Sequence, residues 1–189
     1  MKVSPTRIPD LMIIEPDVHG DERGFFMESF NQRVFEEVTG VTATFVQDNH
    51  SRSAQGVLRG LHYQVEQPQG KLMRVVAGEI LDVAVDIRED SSTFGQWDSV
   101  RLDAADHRQL WVPPGFAHGF VVLSDSAEVL YKTTDYYAPR HERAIRWDDP
   151  TLAIDWQRGA WTWGDTPRLS AKDGKADRFV DLFPSTSSD

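Results

Sequence analysis

Two short stretches hold the groups best suited to move a proton at neutral pH. One is Gly56-Val57-Leu58-Arg59-Gly60-Leu61-His62-Tyr63-Gln64, and the other is Pro113-Pro114-Gly115-Phe116-Ala117-His118. The region from Asp21 to Lys71 is also dense in groups that can bind an anion or move a proton, among them Arg23, Glu28, Gln47, Asn49, Arg59 and Lys71. Histidine titrates near neutrality, so it can both take and return a proton there. Most Arg and Glu residues on exposed strands only make surface ion pairs. His19, His107 and His141 have no supporting neighbours and read as structural. His62 and His118 stand apart because each sits in a Gly-bearing motif with other polar groups. On a regular strand Arg59 and His62 would lie on opposite faces. Gly60 between them offers a bulge that would re-aim one of the two.

The two stretches resemble the paired motifs from which cupin barrels build a metal site. The second motif is matched through His118, and the first begins correctly with Gly56 and His62. Gln64 then stands where a second histidine would sit, and Pro68 and Gln69 hold the place of the acidic ligand. Two histidines alone are a poor site for a divalent ion, which takes three or four protein ligands. The expectation is a barrel retained without its metal, with His62 and His118 sharing one pocket.

The elements that must position these groups are mostly strands. The chain has 189 residues, which suits one domain over 1–189 that buries roughly 70 per cent of its unfolded surface. In Leu81-Asp82-Val83-Ala84-Val85-Asp86-Ile87-Arg88 the large apolar residues take every second position. That pattern predicts an antiparallel strand with one face buried and the other mostly polar. Arg74-Val75-Val76 precedes it, and Ala77-Gly78-Glu79 offers a turn, so a hairpin is expected. Further strands are expected at Leu11–Ile14, Gly24–Phe30, Thr42–Gln47, Val57–Gln64, Gly119–Leu123 and Glu128–Thr133. One short helix should start at an Asn31 cap, carry Val34, Phe35 and Val38 as its apolar stripe, and stop at Gly40. The fold class is therefore all-β: a jelly-roll barrel with a few short helices and an irregular C-terminal cover rich in tryptophan. Pro184–Asp189 reads as a frayed tail.

Composition narrows the partners. The net charge of −10 argues against broad nucleic-acid or acidic-membrane binding, which needs a basic face. A small anionic ligand needs only a few well-placed arginines. There is no cysteine, which removes disulfide and thiolate chemistry. Met1–Asp10 has no apolar core of the signal-peptide kind. The expected setting is cytoplasmic.

Taken together, the polar stretches resemble the dTDP-4-dehydrorhamnose 3,5-epimerase family. The resemblance runs from Ile8 to Asp173 and includes Gly115-Phe116-Ala117-His118-Gly119-Phe120, Leu130-Tyr131-Lys132-Thr133-Thr134-Asp135-Tyr136-Tyr137 and Leu169-Ser170-Ala171-Lys172-Asp173. It implies a cupin-like jelly roll, a homodimer, a dTDP-4-keto-6-deoxysugar substrate and no cofactor. By the same resemblance His62 is the general base, Asp173 orients it, Tyr131 is the general acid and Lys71 stabilises the enolate oxygen. Arg23 and Arg59 bind the diphosphate. Glu28, Gln47, Asn49, His118, Glu142 and Lys172 contact the nucleotide sugar, some across the dimer interface, and Tyr137 stacks on the base. The stretch between Trp156 and Leu169 is longer than the family pattern, and Arg143 departs from it.

Inverting a carbon beside a ketone removes a proton from one face and returns it to the other. It needs a neutral base, a cation for the developing oxyanion, and a donor on the opposite side. A phenol stays protonated at neutral pH and suits the last duty. Competing readings are a single-position epimerase, a 3,4-ketoisomerase, a metal-dependent cupin, and a non-catalytic sugar-nucleotide-binding module.

Overall fold

The computed structural model describes residues 1–184; of the expected frayed tail, 185–189 lie outside the described residues. In chain order the elements are β1 (Lys2–Pro5), β2 (Met12–Glu15), β3 (Val18–Asp21), β4 (Gly24–Met27), α1 (Gln32–Thr39), β5 (Gln47–Ala54), β6 (Leu58–Gln64), β7 (Lys71–Ala77), β8 (Glu79–Asp86), β9 (Trp97–Asp103), β10 (Gln109–Val112), β11 (Phe116–Val122), β12 (Ser126–Thr133), β13 (Glu142–Ala144) and α2 (Phe179–Leu182). One sheet runs β1-β2-β10-β7-β12-β5, the other β13-β6-β11-β8-β9, and β3-β4 is a separate hairpin. The strand pairs are antiparallel, as the alternating patterns require.

Three apolar layers hold the sheets. Between the sheets lie Met73, Val75 and Val129 from one side and Ile80, Ala84, Val100 and Phe120 from the other. The outer face of the five-stranded sheet presents Leu58, Leu61, Leu81, Val83 and Val85 to Leu152, Trp156, Trp161 and Phe179 of the C-terminal cover. The outer face of the six-stranded sheet is covered by Phe35 of α1, packed with Ile14, Leu72 and Trp111. Helix α1 forms as its sequence requires. Asn31 accepts hydrogen bonds from the N–H groups of Arg33 and Val34, and the Gly40 N–H reaches Glu36 at φ 70°.

Several strand expectations are corrected. Strand β8 is buried on both faces, because the cover closes over one face and the sandwich interior over the other; Asp82 and Asp86 are inside. The β7–β8 turn is not a hairpin, since β7 and β8 belong to different sheets. The chain crosses between sheets at Gly78 (φ 75°), where a Cβ would lie 2.0 Å from the Ser126 carbonyl oxygen. The predicted strand at Thr42–Gln47 is irregular up to Gln47, because Phe45 leaves the sheet plane to meet Phe30, Phe35 and Trp111 edge-on. The strand beginning at Gly24 ends at Met27 rather than Phe30 for the same reason.

The Gly60 bulge is present. His118 pairs with His62, but two residues further along β11 Phe120 pairs with Arg59, so β6 spends one extra residue. Gly60 sits at φ 119°, and a Cβ there would lie 2.5 Å from the Gly119 Cα. Gly60→Ala should therefore destabilise the fold by about 3 kcal/mol or more, through backbone strain and overpacking together. Urea denaturation measures this; a loss below about 1 kcal/mol would mean that the two strands can part at this point without cost.

Candidate active site

A cavity of about 370 Å³ opens between the two sheets. Gln47 and Asn49 reach it from β5, Lys71 from β7 and Tyr131 from β12, all in the six-stranded sheet. Arg59 and His62 on β6, His118 on β11 and Glu142 on β13 line the opposing wall, and Tyr137 stands at the rim. Because of the bulge, Arg59 and His62 share this cavity instead of facing apart.

His62 Nε2 lies 2.5 Å from Asp173 Oδ1. A carboxylate only accepts, so Nε2 carries the proton and Nδ1 is left as the basic nitrogen. Asp173 is buried, and its other oxygen accepts from the Ser170 hydroxyl at 2.9 Å. Burial pushes its pKa up, but the hydrogen bonds and charge of His62, with Ser170, outweigh that and hold it below the ordinary carboxylate value. Asp173 begins the short 3₁₀ turn Asp173–Lys175, and its own N–H donates to Ser170 Oγ at 3.1 Å.

The deeper wall holds a second pair. His118 Nε2 lies 2.8 Å from Asp82 Oδ1, and both residues are buried. Burial lowers the His118 pKa despite Asp82, so the ring is neutral at pH 7. Asp82 Oδ2 has no hydrogen-bond partner among the described residues. Burial also pushes the Lys71 ammonium down to about 8, with Asp82 and Glu142 acting through space to hold it up. Tyr131 is shifted upward, chiefly by burial, and stays a phenol across the neutral range.

The rim is a hydrogen-bonded chain. Glu142 accepts from the Tyr137 hydroxyl at 2.7 Å and also pairs with Lys172, while the Tyr137 N–H donates to Gln47 Oε1 at 3.1 Å. Gln47 in turn donates to Asn49 at 2.9 Å. Burial raises the Glu142 pKa, but Lys172 and Tyr137 bring it below its ordinary value. Arg59 is aimed by Ser53, whose Oγ accepts from its Nε at 2.9 Å.

Not every expected residue is at the cavity. Arg23 is exposed on the β3–β4 hairpin and paired with Asp21, and Glu28, just beyond it, accepts from Asn31. Both lie apart from the lining, as does Lys172, which reaches the site only through Glu142. Asp82, Ser170 and Ser53 were not singled out from the sequence. The one signal for Asp82 was an acidic residue alternating with Ala84 and Ile80 inside an apolar run. Among the described residues no group of three or more His, Asp or Glu side chains is arranged to hold a metal ion. Gln64, in the cupin ligand position, spends its amide on backbone, accepting from the Ala138 N–H at 2.8 Å.

A model of the dTDP-4-dehydrorhamnose 3,5-epimerase family matches residues 5–181. The chain is 60% identical over 186 residues to the dTDP-4-dehydrorhamnose 3,5-epimerase of Pseudomonas aeruginosa, covering 97% of this chain and 100% of that one. Its fold is similar to a Legionella pneumophila dTDP-6-deoxy-D-glucose-3,5-epimerase solved with dTDP-4-keto-L-rhamnose, with a TM-score of 0.89, 54% identity and coverage of 96% and 94%. It is also similar, at 34% identity and a TM-score of 0.83, to a 3'-monoepimerase from Streptomyces bikiniensis solved with dTDP-quinovose, with coverage of 94% and 87%.

The depressed Lys71 value can be read directly. With carbon-13 at the lysine Cε, one resonance of the free protein should titrate near pH 8, far below the 10.5 of an ordinary lysine. Asp82→Asn should move that midpoint lower still, because the carboxylate supports the ammonium. A lysine that titrates normally, or a midpoint that rises in the variant, would show that burial does not govern this group.

Proposed function

The chain belongs to the dTDP-4-dehydrorhamnose 3,5-epimerase family, and we propose that its cavity inverts both carbons beside the 4-ketone of dTDP-4-dehydro-6-deoxy-D-glucose, giving dTDP-4-dehydro-L-rhamnose. The observation that carries this reading is the placement of His62 and Tyr131 on opposite sheets across one cavity. A base on one wall and a phenol on the other address the two faces of a sugar held between them.

In this reading His62 Nδ1 takes the proton from the carbon next to the ketone. Asp173 fixes the tautomer and steadies the imidazolium. The pair of electrons left behind moves onto the ketone oxygen, where the Lys71 ammonium meets the charge. Losing one such donor costs about 10²–10³ in kcat. Tyr131 returns a proton to the opposite face, which completes the inversion. Both carbons flank the same ketone, so one base and one acid serve both once the ring shifts and solvent resets them, taking the proton from His62 and returning one to Tyr131.

Arg59 binds the diphosphate, and Gln47, Asn49, His118 and Glu142 contact the nucleotide sugar, with Lys172 acting on Glu142. Tyr137 stacks on the base. Arg23 and Glu28 lie away from their own cavity on or beside a hairpin that exposes Val18, Phe25 and Phe26. A homodimer in which the hairpin of one copy reaches the cavity of the other accounts for both facts, since large exposed apolar side chains in one patch mark an interaction surface. No helix of the described residues is long and apolar enough to cross a membrane. A cytoplasmic setting suits a nucleotide-activated sugar.

The test is to incubate the protein with the substrate in heavy water and follow deuterium at C3 and C5 by NMR. Incorporation and inversion at both carbons are expected. Incorporation at one carbon makes it a single-centre epimerase, a ketone moved to C3 makes it a ketoisomerase, and none at either carbon leaves a binding protein. His62→Ala should lose exchange and inversion together, while Tyr131→Phe should keep exchange and lose inversion by about 10²-fold or more. Equal loss of both in Tyr131→Phe would remove Tyr131 as a donor only.

A further inference from the structure

Gln64 occupies the position at which a cupin would place a metal ligand, and its buried amide is fully committed elsewhere. Nε2 donates to the carbonyls of Gln67 at 2.7 Å and Tyr136 at 3.2 Å, and Oε1 accepts from the Ala138 N–H at 2.8 Å. Two of these three bonds bracket Tyr137. The loop after β12 is gripped from the same side by Gln69 and Gln67, which reach the Asp135 carbonyl and carboxylate at 2.8 and 3.2 Å. The Tyr137 ring itself is 54% exposed and lines the cavity. Its position is therefore set by its backbone and its hydroxyl rather than by packing around the ring. Gln64 is also directly across from Glu142, the acceptor for that hydroxyl, in the β6–β13 pairing.

We propose that Gln64 is a positioning residue for nucleobase recognition: it pins the 136–138 backbone so that the Tyr137 ring stands over the cavity mouth. The inference rests on the reading of Tyr137 as the base-stacking residue. Strand β6 then carries three functions in sequence, with Arg59 for the diphosphate, His62 for the proton and Gln64 for the base. Gln64 lines the cavity, but its amide groups are spent on the backbone of the loop. Its effect passes through Tyr137, so it should act on affinity for the base and not on the chemical step.

Two variants test this. Gln64→Leu removes all three bonds, and Gln64→Glu keeps the acceptor for Ala138 but deprives two carbonyls of their donor. Calorimetric titration with dTDP should show binding about tenfold weaker in each, the scale expected when buried carbonyls lose a partner. Inorganic pyrophosphate, which has no base, should bind as it does to the wild type. In the deuterium-exchange assay KM should rise about as much as the dTDP dissociation constant, with kcat changed by less than about twofold. In a Tyr137→Ala background, either Gln64 change should weaken dTDP no further. Unchanged dTDP affinity, a parallel loss for pyrophosphate, a fall in kcat at constant KM, or additive losses in the double variant would each overturn the proposal. If Gln64→Leu does not fold, Gln64→Glu and its double variant decide. A wild type that binds dTDP but exchanges no deuterium would remove the epimerase reading and leave this inference standing. If Tyr137→Ala does not weaken dTDP, the stacking role and this inference both fall.

Discussion

Gly60 and Gly119 meet at a point where neither strand has room for a Cβ, and the phase of β6 is set there. Before the bulge Leu58 faces the C-terminal cover and Arg59 the cavity. After it Leu61 and Tyr63 face the cover while His62 and Gln64 face the cavity. A regular strand would put Arg59 and His62 on opposite faces. One extra residue reconciles them without moving either apolar side chain out of the outer core. Such close backbone approach is available only to glycine, because any side chain would have to displace the neighbouring strand. The shared placement of Arg59 and His62 therefore depends on a contact between two residues that have no chemistry of their own.

A β-sandwich interior is a poor place for charge, and this one holds several. The Asp82 carboxylate is fully buried with one oxygen unpaired among the described residues, which costs about 1–3 kcal/mol or more for a charged group. It fixes His118 and supports the Lys71 ammonium, which burial alone would push further down. At about 8 the lysine remains a cation at neutral pH yet is poorly solvated. A buried ammonium of this kind suits the oxyanion role proposed for Lys71, because it would gain more from a developing negative charge than a well-solvated lysine would.

Much of this was legible in the sequence. Period-two patterning placed β6, β8 and β12, and the Asn31 and Gly40 signals bounded α1, because these are local effects of backbone geometry. Gly60 offered a bulge by falling inside a strand between Arg59 and His62, which a regular strand would turn to opposite faces. What was not legible depends on long-range partners. The turn at Gly78 looks the same whether the chain doubles back or crosses to the facing sheet. The acidic positions of β8 look solvent-facing until the opposite wall is known to bring His118 and Lys71 against them. Phe45 sits in an extended-looking segment but belongs to an aromatic cluster built from α1 and β10. Ser170 and Ser53 gain meaning only from the carboxylate and guanidinium they hold. Of the residues expected at the site, Arg23 and Glu28 stand off their own cavity, a placement that depends on how the β3–β4 hairpin packs and not on any local pattern.

The two walls also divide the chemistry. The five-stranded sheet carries His62, and the Asp173 carboxylate behind it arrives from a segment 111 residues further along the chain. The C-terminal cover delivers it by a fixed path. Trp161 and Trp163 stack at 5.0 Å, Trp163 lies so close over Gly56 that a Cβ there would come within 2.7 Å, and Arg168 exchanges backbone hydrogen bonds with Gly56 and Leu58. The long stretch before Leu169 is thus anchored at its end, two residues before Ser170 begins the turn that presents Asp173. The six-stranded sheet carries Lys71, Tyr131, Gln47 and Asn49 on the facing wall. Facing sheets stand about 10 Å apart, a gap that accommodates a single sugar ring between their side chains. In the proposed reaction His62 and Tyr131, on opposite sheets, therefore address opposite faces of that ring by the architecture itself, and each must also be in its correct protonation state.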